Sequence, residues 1–298
     1  MSLPKVIEIM DVCPRDGFQN VKDYIEFDHK IAIIQQLIIA GSRKIEMTSF
    51  VNPKWIPQMT DAVEVTKKIR QTNPEALLVG LVPNSQGVLE GALAGIDQVT
   101  YVISVSEAHN KANVNRTTEE SFQDLEEIMY KVKNVQFRLA LATSFGCPFN
   151  EEIKVLKIIN MIKRAIALGC IEISIADTIG SANPVLVKSV LGEVAKEIPL
   201  EFISIHIHDT RGMGLLNIYT AMELGFYKFE TSAGGLGGCP FAPGAAGNVA
   251  TEDLVNLCNS IGVQHNIDES ELMKAVEYIR EYVKAPINSH MAAVCKLG

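Results

Sequence analysis

The chain has 298 residues, of which 47% are hydrophobic, and its formal net charge is −8 at pH 7. This length is ample for a buried core, and no apolar run approaches the roughly 20 residues that a membrane-spanning helix needs. The acidic balance, without a basic patch interleaved with aromatic residues, argues against nucleic-acid binding. Six scattered cysteines lack disulfide or zinc-site spacing, and no targeting segment precedes the first strand, so we expect free thiols in a cytoplasmic compartment.

Short β-rich runs alternate with amphipathic segments along most of the chain, and glycines end several of these segments. We predict strands at 6–10, 44–47, 76–82, 98–104, 135–142, 171–176, 203–208 and 227–231. We predict helices at 28–40, 60–72, 86–94, 119–132, 152–168, 184–198, 215–224 and 251–261, then a further helix at 269–283 and a loose tail.

Eight strand–helix units in about 250 residues indicate a parallel (β/α)8 TIM barrel of the α/β class. A doubly wound open sheet is the competing architecture. No linker rich in Pro, Gly or Ser interrupts the chain. We therefore expect residues 1–262 to form a TIM-barrel catalytic domain, and residues 263–298 to form a helical C-terminal extension of the same domain.

Polar residues follow the predicted strands at their carboxyl ends, where barrel enzymes keep their active sites. If these residues were placed by chance, about half of them would fall at the other end of the barrel. The residues concerned are Arg15, Asp16, Glu46, Asn84, Ser106, Glu107, Cys147, Asp177, Thr178, His206, His208 and the segment 234–248.

His206 and His208 alternate with isoleucines in the seventh predicted strand. Residues two apart in a strand point to the same face, so the two imidazoles project side by side and can bind one divalent metal. The alternative is a strand with two hydrogen-bonded histidines. Asp16 could add a carboxylate and Asn248 a carbonyl oxygen, a mixed set that suits Mg²⁺ or Mn²⁺ better than Zn²⁺.

Each added ligand has an alternative structural role. Asp16 could cap the next segment or pair with Arg15, and Asn248 could cap the helix that begins near residue 251. Asp209 and Glu252 are candidates for orienting the ligands.

A glycine-rich segment, residues 234–244, follows the eighth predicted strand. It lacks the lysine of a phosphate-binding P-loop, and we interpret it as a lid that carries Cys239 into the site. A thiol there can donate a proton, although Cys239 could instead be a small buried apolar residue.

A divalent metal, an arginine beside a ligand and a protonatable thiol suit cleavage or formation of a C–C bond next to a carbonyl. Arg15 would stabilise the developing enolate oxygen, and Cys239 would protonate the carbanion. Either Asp16 or His206 would act both as base and as ligand, and the sequence leaves both open.

Six motifs, in the same order along residues 6–262, resemble the 3-hydroxy-3-methylglutaryl-CoA lyase family. They are 12–20 (VCPRDGFQN), 48–55 (TSFVNPKW), 145–149 (FGCPF), 177–180 (DTIG), 206–210 (HIHDT) and the segment 234–248. The wider superfamily of metal-dependent barrels, with isopropylmalate and homocitrate synthases, shares the Arg-Asp and His-x-His parts. The Cys239 loop resembles the lyases alone.

The resemblance implies cleavage of 3-hydroxy-3-methylglutaryl-CoA (HMG-CoA) to acetyl-CoA and acetoacetate. It also implies that the protein is a homodimer and acts in leucine breakdown. It implies an acyl-CoA as the small-molecule partner. Its motifs make Asp16, His206, His208 and Asn248 the metal ligands, and give Arg15 and Cys239 the enolate and proton-donor roles. They also give Glu46 and Asp177 supporting roles in the site.

The chain departs from the family's usual residues at Cys13, Phe18, Phe149, Ala176 and Phe241. These positions flank the site, so a related branched 3-hydroxyacyl-CoA is an alternative substrate. Two further alternatives are a Claisen-type acyltransferase joining acetyl-CoA to a 2-oxo acid, and a non-catalytic barrel that binds CoA esters.

Overall fold

The structure, a computed structural model, describes residues 3–238 and 247–294. Eight parallel strands are hydrogen-bonded in chain order, and the last pairs with the first, which closes the barrel. This confirms the predicted (β/α)8 barrel and excludes the doubly wound open sheet. The strands are β1 (Glu8–Asp11), β2 (Lys44–Ser49), β3 (Leu77–Val82), β4 (Gln98–Ser104), β5 (Gln136–Ala142), β6 (Glu172–Asp177), β7 (Ile203–Ile207) and β8 (Lys228–Thr231).

Helices surround the barrel, and two of them end at Gly95 and Gly169, whose positive φ angles of 100° and 105° favour glycine. The helices are α1 (Phe27–Ile39), α2 (Ala62–Thr72), α3 (Ser85–Ala94), α4 (Glu107–Val114), α5 (Thr118–Lys131), α6 (Val155–Leu168), α7 (Pro184–Glu197), α8 (Gly214–Glu223), α9 (Thr251–Ile261), α10 (Glu269–Tyr282) and α11 (His290–Val294). None of the helices in the described part of the chain is long and apolar enough to cross a bilayer.

Three short elements differ from the sequence-based expectation. The helix α4 occupies a stretch predicted as loop, and the side chain of Ser106 caps its first turn. A π-helical turn, Cys13–Gly17, follows β1 and carries Arg15 and Asp16. The helix α11 lies in the stretch expected to be a loose tail; Asp253 accepts hydrogen bonds from the backbone N–H groups of His290 and Met291 at its start.

Strand alternation gives the barrel wall two different faces. The outer residues of β7, Ile203, Ile205 and Ile207, belong to the apolar core between barrel and helices. The inner residues of the same stretch are Ser204 and His206. The two imidazoles therefore lie at the inner face and at the carboxyl end of the strand, where a barrel places its site.

Candidate metal centre and active site

Asp16, His206 and His208 form a buried cluster at the carboxyl end of the barrel, and each offers a ligand atom within 4.8 Å of the others. His206 lies in β7 and His208 directly follows it, with their ring centroids 5.0 Å apart. Asp16 comes from the π-helical turn after β1, and its Oδ2 lies 3.6 Å from His208 Nε2. The structure thus brings together three of the four ligands predicted from sequence.

Asn248, the fourth predicted ligand, lies beside this cluster. Its Nδ2 donates to Asp16 Oδ2 at 2.6 Å and to the carbonyl oxygen of Leu236 at 3.0 Å. It does not cap α9, whose first turn has no side-chain cap. Asn248 Oδ1 and His208 Nδ1 are buried and have no hydrogen-bond partner among the described residues. Buried acceptors normally have partners, and a divalent cation among these oxygens and imidazoles would supply one, so the residues fit a metal.

Arg15 lies between two acidic residues of the site. Its Nη1 is 2.5 Å from Asp16 Oδ1, and its Nε and Nη2 are each 2.5 Å from Glu46 Oε2. Burial raises the pKa of Asp16, but Arg15 together with His208 and His206 outweighs burial and holds the pKa of that carboxyl well below its usual range. Asp16 therefore pairs with Arg15, as one of its predicted roles required, and it also lies where it could bind a metal with His206 and His208.

Asp177 ends β6 and accepts hydrogen bonds from the backbone N–H groups of Ser181 and Ala182 at 2.9 and 3.0 Å. Burial raises its pKa. Asp209 and Glu252 likewise bind backbone, since Asp209 Oδ1 accepts from the N–H of Gly214 and Glu252 accepts from that of Gly234. The two carboxylates expected to orient ligands thus hold loop backbone instead.

Glu230 is the carboxylate that contacts a candidate ligand, and sequence reasoning missed it. Its Oε2 lies 3.1 Å from His206 Nδ1. Its Oε1 accepts from Arg138 Nη2 at 2.6 Å, so Arg138 points into the barrel interior, as its alternation with alanines suggests. Arg138 Nη2 also pairs with Glu172 Oε1 at 2.7 Å, and its Nη1 lies 3.9 Å from Glu46 Oε1. Charged residues inside predicted strands, such as Arg138 and Glu230, were the available signal, because such charges need partners in the interior.

Cys239 lies outside the described residues, but the described start of its loop reaches the metal cluster. A Cβ atom added at Gly237 would lie 2.5 Å from Asn248 Nδ2 and 3.4 Å from Asp16 Oδ2, and the φ of Gly237 is +122°. Only glycine allows this close approach of the backbone. Cys239 follows two residues later in the chain.

The described cysteines are free thiols, as expected: Cys13, Cys147, Cys170 and Cys258. Cys147, at the rim, forms a 2.9 Å hydrogen bond from its Sγ to Ser106 Oγ. Ser106 in turn donates to Glu151, which also accepts from the backbone N–H of Ala108. These contacts tie the loop after β5 to the first turn of α4 and fit a structural role for Cys147.

Comparison with known proteins places this geometry in a family. The family model HMGL-like matches residues 6–279. Hydroxymethylglutaryl-CoA lyase YngG of Bacillus subtilis is 39% identical over 298 residues, which cover 99% of each chain. Human mitochondrial hydroxymethylglutaryl-CoA lyase is 39% identical over 299 residues, covering 99% of this chain and 92% of the human one.

A solved structure of an HMG-CoA lyase from Acinetobacter baumannii, in complex with coenzyme A and 3-methylmalate, superposes with a TM-score of 0.93. It is 38% identical to this chain, and the match covers 98% of this chain and 96% of the other. The extent of these matches and the shared barrel agree with the motifs, and the chain belongs to the HMGL-like family.

Proposed function

We propose that this protein is a divalent-metal-dependent C–C lyase that cleaves HMG-CoA to acetyl-CoA and acetoacetate. The observation that carries the proposal is the buried cluster of Asp16, His206 and His208 with Arg15 held against it, in a chain of the HMGL-like family. The relatives named as hydroxymethylglutaryl-CoA lyases, and the related structure with bound coenzyme A, support HMG-CoA as the substrate.

Asp16, His206, His208 and Asn248 would hold the cation, and Mg²⁺ or Mn²⁺ suits these nitrogen and oxygen ligands. When bound, it would lower the pKa of a substrate hydroxyl and polarise a nearby carbonyl oxygen. We propose Asp16 or His206 as the base that takes the hydroxyl proton.

Arg15 supplies the positive charge for the enolate oxygen that develops as the C–C bond breaks. Its guanidinium is fixed on one side by Asp16 and on the other by Glu46, so its orientation is set before substrate arrives. We propose Cys239 as the acid that protonates the carbanion, since its loop leaves the described structure beside the metal cluster. Asp177 would support the site by shaping the loop after β6.

A related branched 3-hydroxyacyl-CoA is the second candidate substrate, and Ala176 favours it. Ala176 replaces the family's usual glycine and lies in register with His206, so its methyl group adds bulk next to a candidate ligand. Two other departures do not bear on the acyl group, because Cys13 and Phe18 are fully buried, without exposure to a substrate.

The test is to incubate metal-loaded protein with HMG-CoA and to follow acetoacetate release with and without a chelator. We expect release that stops with the chelator and returns when Mg²⁺ or Mn²⁺ is added back. Full release in chelator would contradict the metal requirement. No release with metal bound would contradict the substrate, and branched analogues followed by acetyl-CoA with 2-oxo acids would then be assayed.

We also propose that the protein is a homodimer and that it acts in leucine breakdown. Light scattering tests the dimer.

We propose that residues 263–298 are a helical extension of the domain formed by residues 1–262. The close packing of α10 on α1, including a hydrogen bond from Gln36 to Glu271, supports a single domain. Free thiols at the described cysteines support the proposed cytoplasmic location.

A further inference from the structure

The imidazole of His206 has one ring nitrogen engaged inside the barrel. Its Nδ1 lies 3.1 Å from Glu230 Oε2, and both side chains are buried. His206 and Glu230 are register partners on the adjacent strands β7 and β8. This contact leaves Nε2 as the ring nitrogen free to bind a metal with Asp16 and His208.

Glu230 is itself fixed by two hydrogen-bond donors. Its Oε1 accepts from Arg138 Nη2 at 2.6 Å and from Ser204 Oγ at 2.9 Å. Arg138 has no solvent exposure, and its Nη1 donates to Thr100 Oγ1 at 2.8 Å. With two donors on Oε1, one of them a guanidinium, the other oxygen presents an acceptor to His206.

The same guanidinium reaches the opposite side of the site. Arg138 Nη1 lies 3.9 Å from Glu46 Oε1, and Glu46 Oε2 holds Arg15 at 2.5 Å. One buried arginine therefore lies between the carboxylate that contacts His206 and the carboxylate that orients Arg15.

We propose that Glu230 is a positioning residue that keeps the proton of His206 on Nδ1 and directs Nε2 to the metal, and that Arg138 holds Glu230 in place. This inference rests on the proposed metal-dependent function. Of the two proposed bases it leaves Asp16, because an imidazole with Nδ1 protonated and Nε2 on the metal has no nitrogen left to take a proton. Glu230 acts through His206 and does not itself contact the metal or the substrate.

Glu230→Gln tests the proposal because the amide has a single oxygen. Arg138 and Ser204 both donate to one side of this group, so the amide turns its oxygen to them and its NH2 group to His206 Nδ1. Nδ1 then becomes the acceptor, and the proton moves to the nitrogen that should bind metal. We expect Mn²⁺ affinity, measured by electron paramagnetic resonance, to fall about 10- to 100-fold, the usual effect of losing such a partner.

Glu172→Gln is the matched control, since Glu172 is a buried partner of the same Arg138 but does not contact His206. It makes the same chemical change and we expect it to bind Mn²⁺ as tightly as the parent. Equal Mn²⁺ affinity for folded Glu230→Gln and the parent would overturn the proposal, as would an equal loss in both variants.

A measurement on the parent protein keeps the proposal testable if the Glu230 variant fails to fold. Long-range ¹H–¹⁵N correlation spectra of ¹⁵N-histidine-labelled protein with Mg²⁺ report which His206 nitrogen carries the proton. We expect Nδ1–H, and a proton on Nε2 would overturn the proposal. Both readouts are independent of turnover, so failure to cleave HMG-CoA would reject the proposed substrate and leave this inference standing.

Discussion

The two faces of the barrel wall differ in chemistry although the same strands build them. The outer faces are apolar, with Ile205 in the core shared with the helices. The inner faces carry Arg138, Glu172, Glu230 and His206, although bulky branched residues usually fill the interior of such barrels. Strand alternation thus separates the apolar contacts that stabilise the fold from the charged contacts that position the site.

Buried carboxylates on the inner face and away from it titrate in opposite directions. Burial raises the pKa of Glu172, but Arg138, Lys44 and Lys228 together outweigh burial and lower the pKa to about 2. The same balance holds the pKa of Glu230 well below its usual range. Away from the inner face, burial raises the pKa of Asp11, at the end of β1, to about 6 and that of Glu252, in α9, to about 7. Hydrogen bonds from the Thr251 side chain to Asp11 and from backbone N–H groups to both carboxylates act in the opposite direction. Nearby positively charged groups, and not burial alone, decide which of these buried carboxylates stay charged.

Arg15→Gln should have the largest effect, because it removes the positive charge that the π-helical turn after β1 holds next to the reacting atoms. We expect turnover of HMG-CoA to fall about 10²- to 10³-fold, or roughly 3–4 kcal/mol of transition-state stabilisation. Mn²⁺ affinity should not fall, since a cation next to the metal cluster has been removed. Steady-state kinetics and Mn²⁺ binding measure the two effects separately.

Arg70→Gln is the matched control, because Arg70 pairs with Asp97 and backbone carbonyl groups near the amino ends of the strands. Its turnover should equal that of the parent. Full turnover in Arg15→Gln would remove Arg15 from the proposed chemistry.

The sequence predicted the barrel because its signals are local. β4 and α9 match their predicted bounds, since periodicity and glycine stops lie within each segment. It did not predict α4, a short helix that Ser106 caps and whose His109 ring packs near Phe149 from the next loop. It also missed the π-helical turn at residues 13–17, which lies against the loop after β8 in space.

The site was predictable where its ligands are neighbours in one strand, as His206 and His208 are. Glu230 was missed because its partner depends on the register between β7 and β8, which appears only when the barrel closes. Asp209, adjacent to a candidate ligand in sequence, was chosen instead. In the structure its carboxylate binds the N–H of Gly214 at the start of α8.

Glu252→Gln tests a carboxylate away from the inner face through pH. Burial raises the pKa of Glu252 from 4.5 in the unfolded chain to about 7 in the fold. The stabilisation from its bound proton is therefore complete below pH 4.5 and is lost as the pH rises through about 7. The amide is neutral throughout, so the unfolding free energy of the variant relative to that of the parent should rise by roughly 2.5 kcal/mol between pH 5 and 8. Urea unfolding at several pH values measures this.

Glu64→Gln is the control for this pH series, because Glu64 is an exposed carboxylate on α2. Its difference from the parent should stay constant over the same range. If the difference in unfolding free energy between Glu252→Gln and the parent were also constant, the fold would not depend on protonation of Glu252, whose carboxyl group binds the N–H of Gly234.

Ile205→Val probes the outer face alone. Removing one methylene from this fully buried side chain should lower the unfolding free energy by about 0.5–1.5 kcal/mol. Since His206 points to the other face, Mn²⁺ affinity and turnover of the folded variant should equal those of the parent. A clear loss of Mn²⁺ affinity would mean that the two faces of the wall are coupled.

The smallest effect is expected for an ion pair outside both faces. Lys163 and Glu197 lie 2.8 Å apart between α6 and α7, with side chains about half exposed, and solvent and salt screen such a pair. A double-mutant cycle of Lys163→Ala and Glu197→Ala should give a coupling of about 0.2–1 kcal/mol that shrinks at high salt. Arg138 and Glu172 form a buried pair at a similar distance, so the two pairs differ mainly in exposure. If the Lys163–Glu197 coupling in high salt equalled that of the buried pair, burial would not set the strength of the inner-face pairs.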